Sequence, residues 1–378
     1  MDALKKVETF IFEYPIRNLI LVLFGIMFFK TGVWVNPEIG IIQKIALNPF
    51  LNTIEDPNEH FLFWNWLGPY LAWVVGAKSR FAIFIFHLVF SLAFSFLFIK
   101  IIFSRFSEKV ARTSLILFCI LPVSSTAYFW VGYDSLTLFF MLLALAYPQY
   151  ILLTLLSGIA LGMQHFEQSF FATGALLFIA MLNIKLEDRI NIKKDYTFKF
   201  FVLLFVAVIF GKLALISLFN QYSIKVNSGR LYWVKEHFVF LLTNFFMHFQ
   251  YIIWSVLGMG NLILLKFLDN GRKSIPFFIT FFGLLLLLPL MGDHTRVLAI
   301  TTFPLIAVYF LFNEEFLNKI STKEVSIIFL IWLLMPWGWV WGGLPRGSVL
   351  SHDIYFFLHK CFGYPHIAPE NWEWWPFY

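Results

Sequence analysis

Charge is what this 378-residue chain has least of. Only 13% of its residues are Asp, Glu, Lys or Arg, about half the roughly 25% of a soluble domain, which excludes an ordinary water-soluble fold. Cysteine is nearly absent too. Cys119, in the apolar run Ser114–Pro122, and Cys361, near the C-terminal end, exclude a disulfide framework and a cysteine-based zinc site. No G-x-x-x-x-G-K-[ST], H-E-x-x-H or G-x-S-x-G motif occurs, so nothing points to P-loop nucleotide chemistry, a zincin or a nucleophile elbow. A small-residue cleavage site is also missing after Lys5, Lys6 and Arg17, so the first apolar stretch is expected to stay as an anchor.

What is present is hydrocarbon. The chain is 60% hydrophobic and 21% aromatic, in continuous runs that reach the ~20 residues a helix needs to cross a bilayer. Continuous rather than alternating runs predict helices, not a barrel. The expectation is an all-α polytopic membrane protein with about eleven transmembrane helices, forming one transmembrane domain over residues 1–378. The expected spans are Asn18–Val35, Phe81–Phe103, Ser114–Trp130, Ser135–Tyr147, Tyr150–Met163, Ser169–Leu182, Phe198–Phe219, Phe238–Leu268, Ile275–Met291, Val297–Phe312 and Val325–Trp341.

Charge placement orients them. The connectors Met1–Arg17, Lys100–Arg112, Lys185–Lys199, Lys266–Lys273 and Lys319–Lys323 hold 17 of the 28 basic residues. Basic loops stay cytoplasmic, so the N-terminus is expected inside and the tail 344–378 outside, in a bacterial inner membrane. The net charge of +6 thus marks topology and does not imply nucleic acid. In the first outer loop, residues 36–80, Phe61–Ala77 reads as an interfacial helix.

Against this background each polar residue at the outer face needs a reason. The first outer loop carries Glu55-Asp56-Pro57-Asn58-Glu59-His60. Asp134 sits in the turn between the third and fourth spans, and His165 and Glu167 between the fifth and sixth. Asp293, His294 and Arg296 share a short connector, and the loop Asn220–His237 places Arg230 and Lys235 on a face where basic residues are uncommon. Each could be a solvated loop charge; together on one face they suggest a site. Lys212 lies inside the seventh span, where a lysine costs about 2.5–3.5 kcal/mol unless paired or snorkelling. The aromatic end Asn371–Tyr378 reads as a headgroup anchor.

This order of features resembles the GT-C class of integral-membrane glycosyltransferases. The resemblance rests on a short basic N-terminus, one span, the acidic pair Glu55-Asp56, the proline-bearing segment Trp66-Leu-Gly-Pro69-Tyr, and the turn Gly132-Tyr-Asp134-Ser leading into a Leu/Phe-rich span. It covers about Met1–Leu182, and the chain has no large soluble outer domain of the kind many members carry. The resemblance implies transfer of a sugar from a polyprenyl-phosphate-linked donor to a lipid-linked glycan or protein acceptor at the outer face, among membrane lipids. It implies a carboxylate base, with Asp56 first and Glu55 or Glu59 in reserve. Cations would receive the lipid phosphate, from Arg230, Lys235, Arg296 and Arg346. Asp134, His165 and Glu167 would orient sugar or acceptor, beside Asp293 and His294. The resemblance implies no definite cofactor, and a divalent metal, which some members use, is left open.

Two other readings compete. An O-antigen-type polysaccharide polymerase or ligase would depend on a long outer loop in the second half. A transporter or flippase for a lipid-linked anionic substrate would place its polar residues at mid-membrane depth; a membrane O-acyltransferase using His248 is a weaker third.

Overall fold

A computed structural model describes residues 2–185, 194–250, 252–253, 264–334, 337–341 and 344–348. The described structure is overwhelmingly helical. Four helices are long and apolar enough to cross a membrane, or up to six if two bent pairs each count as one span.

The N-terminal helix α1 (Asp2–Phe12) and α2 (Ile16–Thr31) meet at 116° across Pro15. Arg112 fixes this corner, its guanidinium donating to Ile11 O and Tyr14 O at 2.7 Å each and pairing with Glu108 at 2.5 Å. Those carbonyls at the end of α1 have no partner within the helix, so a buried cation supplies one. Next come α3 (Ile39–Leu47), a 3-10 turn at Pro57–Glu59, α4 (His60–Phe63) and α5 (Leu67–Val74). The single helix expected over Phe61–Ala77 is therefore two short pieces, broken around Asn65, and α3 precedes them.

The long α6 (Arg80–Arg105) is capped by Ser79. The expected third span is bent by 57° at Leu121-Pro122, into α7 (Glu108–Ile120) and α8 (Pro122–Phe129). Proline has no N–H to continue the helical ladder, which accounts for the break. Then follow α9 (Tyr133–Ala146), α10 (Ile151–Gln164), α11 (Phe166–Lys185), α12 (Phe198–Gln221) and α13 (Arg230–Met247). Part of the expected Phe238–Leu268 span lies outside the described residues. The remaining helices are α14 (Ile275–Leu285), α15 (His294–Ile306, continued by a π turn to Leu311), α16 (Glu314–Asn318) and α17 (Thr322–Leu334). The expected last span does not run to Trp341: the helix is described as far as Leu334, and Trp337–Trp341 pairs antiparallel with Leu344–Ser348 as a hairpin, β1 and β2. The aromatic end 371–378 lies outside the described residues.

Two devices position the site. One is close helix packing through Gly158-x-x-x-Gly162 on α10 and Gly211 on α12. A Cβ at Gly162 would collide with the backbone oxygen of Val208, and one at Gly211 with that of Ile159. Small residues at this spacing let two helix backbones touch. The other is the wholly buried α15, at the centre of the bundle.

Candidate functional site

The site forms where three loops converge at one end of the bundle. After α2 the chain makes a one-residue parallel bridge, Val35 to Val131. Val131 N donates to Trp34 O at 2.9 Å and Asn36 N to Val131 O at 3.2 Å. This lays Asn36-Pro37-Glu38 alongside Gly132-Tyr133-Asp134. Gly132 is required for the fit, since a Cβ there would lie 2.8 Å from the Asn36 side chain. Glu38 is thereby brought into the electrostatic field of Asp134, Arg296 and Arg230.

The acidic loop is a docking platform for the segment before α13. Asn227 Nδ2 donates to Pro57 O at 2.7 Å, Asn227 N to His60 Nδ1 at 3.3 Å, and Trp64 Nε1 to Asn227 O at 3.1 Å. Because His60 Nδ1 accepts, its Nε2 carries the proton and donates to Ile54 O at 3.1 Å. Gly229, at φ 65°, stands where a Cβ would meet the Trp64 ring at 2.5 Å. The next residue, Arg230, is thus aimed inward.

Around these loops the charges interlock. Arg296 Nη1 donates to Asp134 Oδ2 at 2.9 Å, and its Nε lies 2.7 Å from Asp293 Oδ2. The Asp134 side chain is 2% exposed and that of Arg296 12%; a pair this dry is held by geometry and hydrogen bonds, since desolvation opposes it. Asp293 also caps α15, accepting from Arg296 N at 3.4 Å. Arg230 Nη2 donates to His165 Nε2 at 3.1 Å, so the His165 proton sits on Nδ1, 3.9 Å from Glu167 Oε2. The Arg230 guanidinium also lies 4.9 Å from the Phe61 ring centre. Lys212 Nζ is 3.5 Å above Trp64 and 5.3 Å from Phe166, a cation–π seat, with Glu167 within electrostatic reach. Among the described residues neither Arg230 nor Lys212 has a carboxylate at ion-pair distance.

Behind the loops, Gln164 ties the frame together. Its Oε1 accepts from Gly68 N at 2.6 Å and its Nε2 donates to Tyr133 O at 3.0 Å, linking α5, α9 and α10. Several buried polar atoms here have no hydrogen-bond partner among the described residues: Asp134 Oδ1, Tyr133 OH, His165 Nδ1, Arg230 Nε and both amide atoms of Gln168. Buried polar atoms are almost always paired, so this concentration marks a place built to receive polar groups.

The environment tunes the loop acids and the histidine. Burial pushes the Glu38 carboxyl above its ordinary value, against the pull of Arg296 and Arg230. Burial likewise raises Asp293 to about 6, with Arg296 opposing. His165 is held well below its usual range by burial and then by Arg230, which keeps the ring neutral.

The structure therefore brings together Asp134, His165, Glu167, Arg230, Asp293 and Arg296, with Glu59 at the edge of the same field. Among the described side chains, it does not bring in Glu55, Asp56, Lys235 or His294. Glu55 and Asp56 are exposed, and Asp56 Oδ1 accepts from Asn58 N at 2.9 Å as the cap of the 3-10 turn. An Asp-Pro pair ahead of a short helix is a capping signal, which explains its surface position. Lys235 is exposed on α13. His294 is buried against Phe245, ring centres 6.4 Å apart, with neither ring nitrogen partnered among the described residues. The Arg346 backbone pairs with Trp339 in the hairpin, and its side chain lies outside the described set. Sequence reasoning missed Glu38. The available signal was an acid three residues beyond the first expected span, next to a proline. Among the described residues, no group of three His, Cys, Asp or Glu side chains is placed to hold a metal ion. No protein-family model, curated protein or solved structure matches the chain.

Proposed function

We propose that this chain is a membrane glycosyltransferase of the GT-C type, moving a sugar from a polyprenyl-phosphate carrier to a hydroxyl acceptor at the non-cytoplasmic face. The proposal includes about eleven spans, a cytoplasmic N-terminus and an outer tail, as the positive-inside pattern suggests. The observation that carries it is one polar site in which a partly exposed carboxylate, Glu38, lies in the field of Arg230, while a second cation, Lys212, acts on His165 and Glu167 of the same site; among the described residues neither cation has an ion-pair partner.

In this reading Glu38 takes the base role that the acidic loop suggested for Asp56. The acceptor hydroxyl gives its proton to Glu38 as its oxygen attacks the anomeric carbon. The bond from that carbon to the phosphate oxygen breaks, and the electron pair leaves on the lipid phosphate. A carboxylate with a raised pKa is a stronger base toward a hydroxyl than an ordinary one. The departing phosphate gains negative charge, which Arg230 and Lys212 are placed to stabilise without a general acid. Arg296 serves differently: with Asp134 and Asp293 both on it, it braces the turns. Neutral His165 orients Arg230. A single displacement of this kind inverts the anomeric centre.

The test is incubation of purified protein in nanodiscs with a panel of polyprenyl-phosphate sugars and a membrane-extract acceptor. Wild type is expected to consume one donor, and Glu38→Gln to lose about two to four orders of magnitude in rate. Consumption of no donor would refute the proposal.

A further inference from the structure

Beside the charged site, three side chains have hydrogen-bonding atoms that the fold leaves unused. Gln168 of α11, Asn244 of α13 and His294 of α15 are each more than nine-tenths buried. Among the described residues, Gln168 Oε1 and Nε2, Asn244 Nδ2 and both ring nitrogens of His294 have no partner. Buried polar atoms are almost always paired, so five unmet atoms on three side chains are not there to hold the fold. The proposed reaction uses none of them.

Helix packing groups the three. α11 and α15 pack against each other, and both start at the loops of the site. Deeper in the bundle, Ala175 of α11, Phe245 of α13 and Leu298 of α15 belong to one apolar cluster. Gln168 precedes Ala175 by seven residues and His294 precedes Leu298 by four, which sets them ~10 and ~6 Å nearer the loops along their axes. The His294 ring centre is 6.4 Å from that of Phe245. The buried positions of α13 are Leu241, Asn244 and Phe245, so Asn244 shares the face that meets His294. The set adjoins the charges on both sides. Gln168 is three residues beyond His165, the partner of Arg230, and His294 directly follows Asp293, the partner of Arg296. α13 lies over the set, resting mainly on the turns Pro57–Glu59 and Leu288–Leu290.

The unmet atoms select the chemistry of a ligand. Gln168 offers a carbonyl oxygen that accepts and an amide nitrogen that donates, and Asn244 Nδ2 donates. A buried imidazole with no carboxylate at ion-pair distance among the described residues has one donating and one accepting nitrogen. A phosphate or carboxylate only accepts, and this set holds no cation to offset its charge; an ammonium only donates. A hydroxyl does both. We infer that Gln168, Asn244 and His294 form the subsite for the sugar acceptor, and that this acceptor is an uncharged sugar presenting several hydroxyls. The inference rests on the proposed function for the role of acceptor, with Glu38 across the α15 turn to take the proton of the attacking hydroxyl.

The test uses full-length protein in nanodiscs with isotope-labelled histidine, the His294 resonance being the one lost in His294→Gln. Methyl glucoside, methyl galactoside and methyl N-acetylglucosaminide are titrated beside methyl glucuronide and a peptide containing serine and threonine. At least one neutral glycoside is expected to shift the His294 resonance, with a Kd about tenfold below those of the glucuronide and the peptide, equivalent to roughly 1.4 kcal/mol. Gln168→Leu and Asn244→Leu are each expected to weaken that binding about tenfold. Both should hold or raise the unfolding midpoint, because an apolar side chain replaces an unmet polar one. A His294 resonance that no neutral glycoside moves, as for a place that holds water only, would overturn the inference. Tighter binding of the glucuronide or the peptide would do the same, as would unchanged glycoside binding in both Leu variants. Glycoside binding at His294 with no sugar transfer from any donor would instead refute the glycosyltransferase reading and leave the sugar subsite standing.

Discussion

Arg296 donates to Asp134 at 2.9 Å across 162 residues of sequence, joining the start of α15 to the start of α9. The same guanidinium holds Asp293 at 2.7 Å. Two turns from distant parts of the chain are therefore locked by one cation, and the loop carrying Glu38 is packed against them through the Val35–Val131 bridge.

Removing that cation should be expensive. Arg296→Gln leaves Asp134 and Asp293 buried without compensation, a loss of about 3–5 kcal/mol, read as a drop in the unfolding midpoint in detergent. Adding Asp134→Asn should recover part of the loss, because the two residues are coupled. Additive losses would show that the pair is not the bracing contact.

The close crossing of α10 and α12 gives a second test. Gly162→Leu places a side chain into the backbone of Val208 and should destabilise the fold by several kcal/mol, about the upper range for overpacking. Gly25→Ala, on α2 with nothing within 4 Å of the new Cβ, should stabilise by about 0.5–1 kcal/mol. Thermal unfolding of the two variants side by side checks the contrast.

Stability should also depend on pH through Asp293. Burial raises its folded pKa to about 6, above the unfolded value of about 3.9. The folded state therefore binds the proton more tightly. Its contribution is fully present below the unfolded pKa and is lost as pH rises through about 6. Asp293→Asn is expected to flatten the unfolding midpoint between about pH 4 and 6; an unchanged slope there would contradict the assignment.

The cation pair can be separated from the frame. Lys212→Met and Arg230→Met are each expected to lower kcat/KM for a lipid-phosphate donor by about ten- to a thousandfold. Trp64→Leu, which removes the Lys212 seat, should lower it by less, about the 1–2 kcal/mol of a partly desolvated cation–π contact. Donor titrations of the purified variants decide between these sizes.

Much of this arrangement was legible in the sequence because charge is scarce. In a chain with so few ionisable groups, Asp134, His165, Glu167, Arg230, Asp293 and Arg296 stood out one by one, and hydrophobic spacing placed them in turns. The helical character and most helix positions followed from the same runs. What could not be read is who meets whom. Glu38 looked like the margin of a span, and only the Val35–Val131 bridge turns it toward Asp134. Asp56 carried the more conspicuous motif, yet Asp-Pro ahead of a short turn is a helix cap, and its carboxylate is spent on Asn58 N. The hairpin at Trp337–Ser348 was hidden because Trp and Val suit a strand as well as a span.

The most direct measurement compares Glu38→Gln with Asp56→Asn in the same donor-consumption assay, with wild-type unfolding midpoints required of both. Glu38→Gln should fall by about two to four orders of magnitude, and Glu38 activity should rise with pH through a midpoint above the ordinary Glu value of about 4.3. Asp56→Asn should stay near wild type. Full activity in Glu38→Gln, or its loss only in Asp56→Asn, would contradict the account.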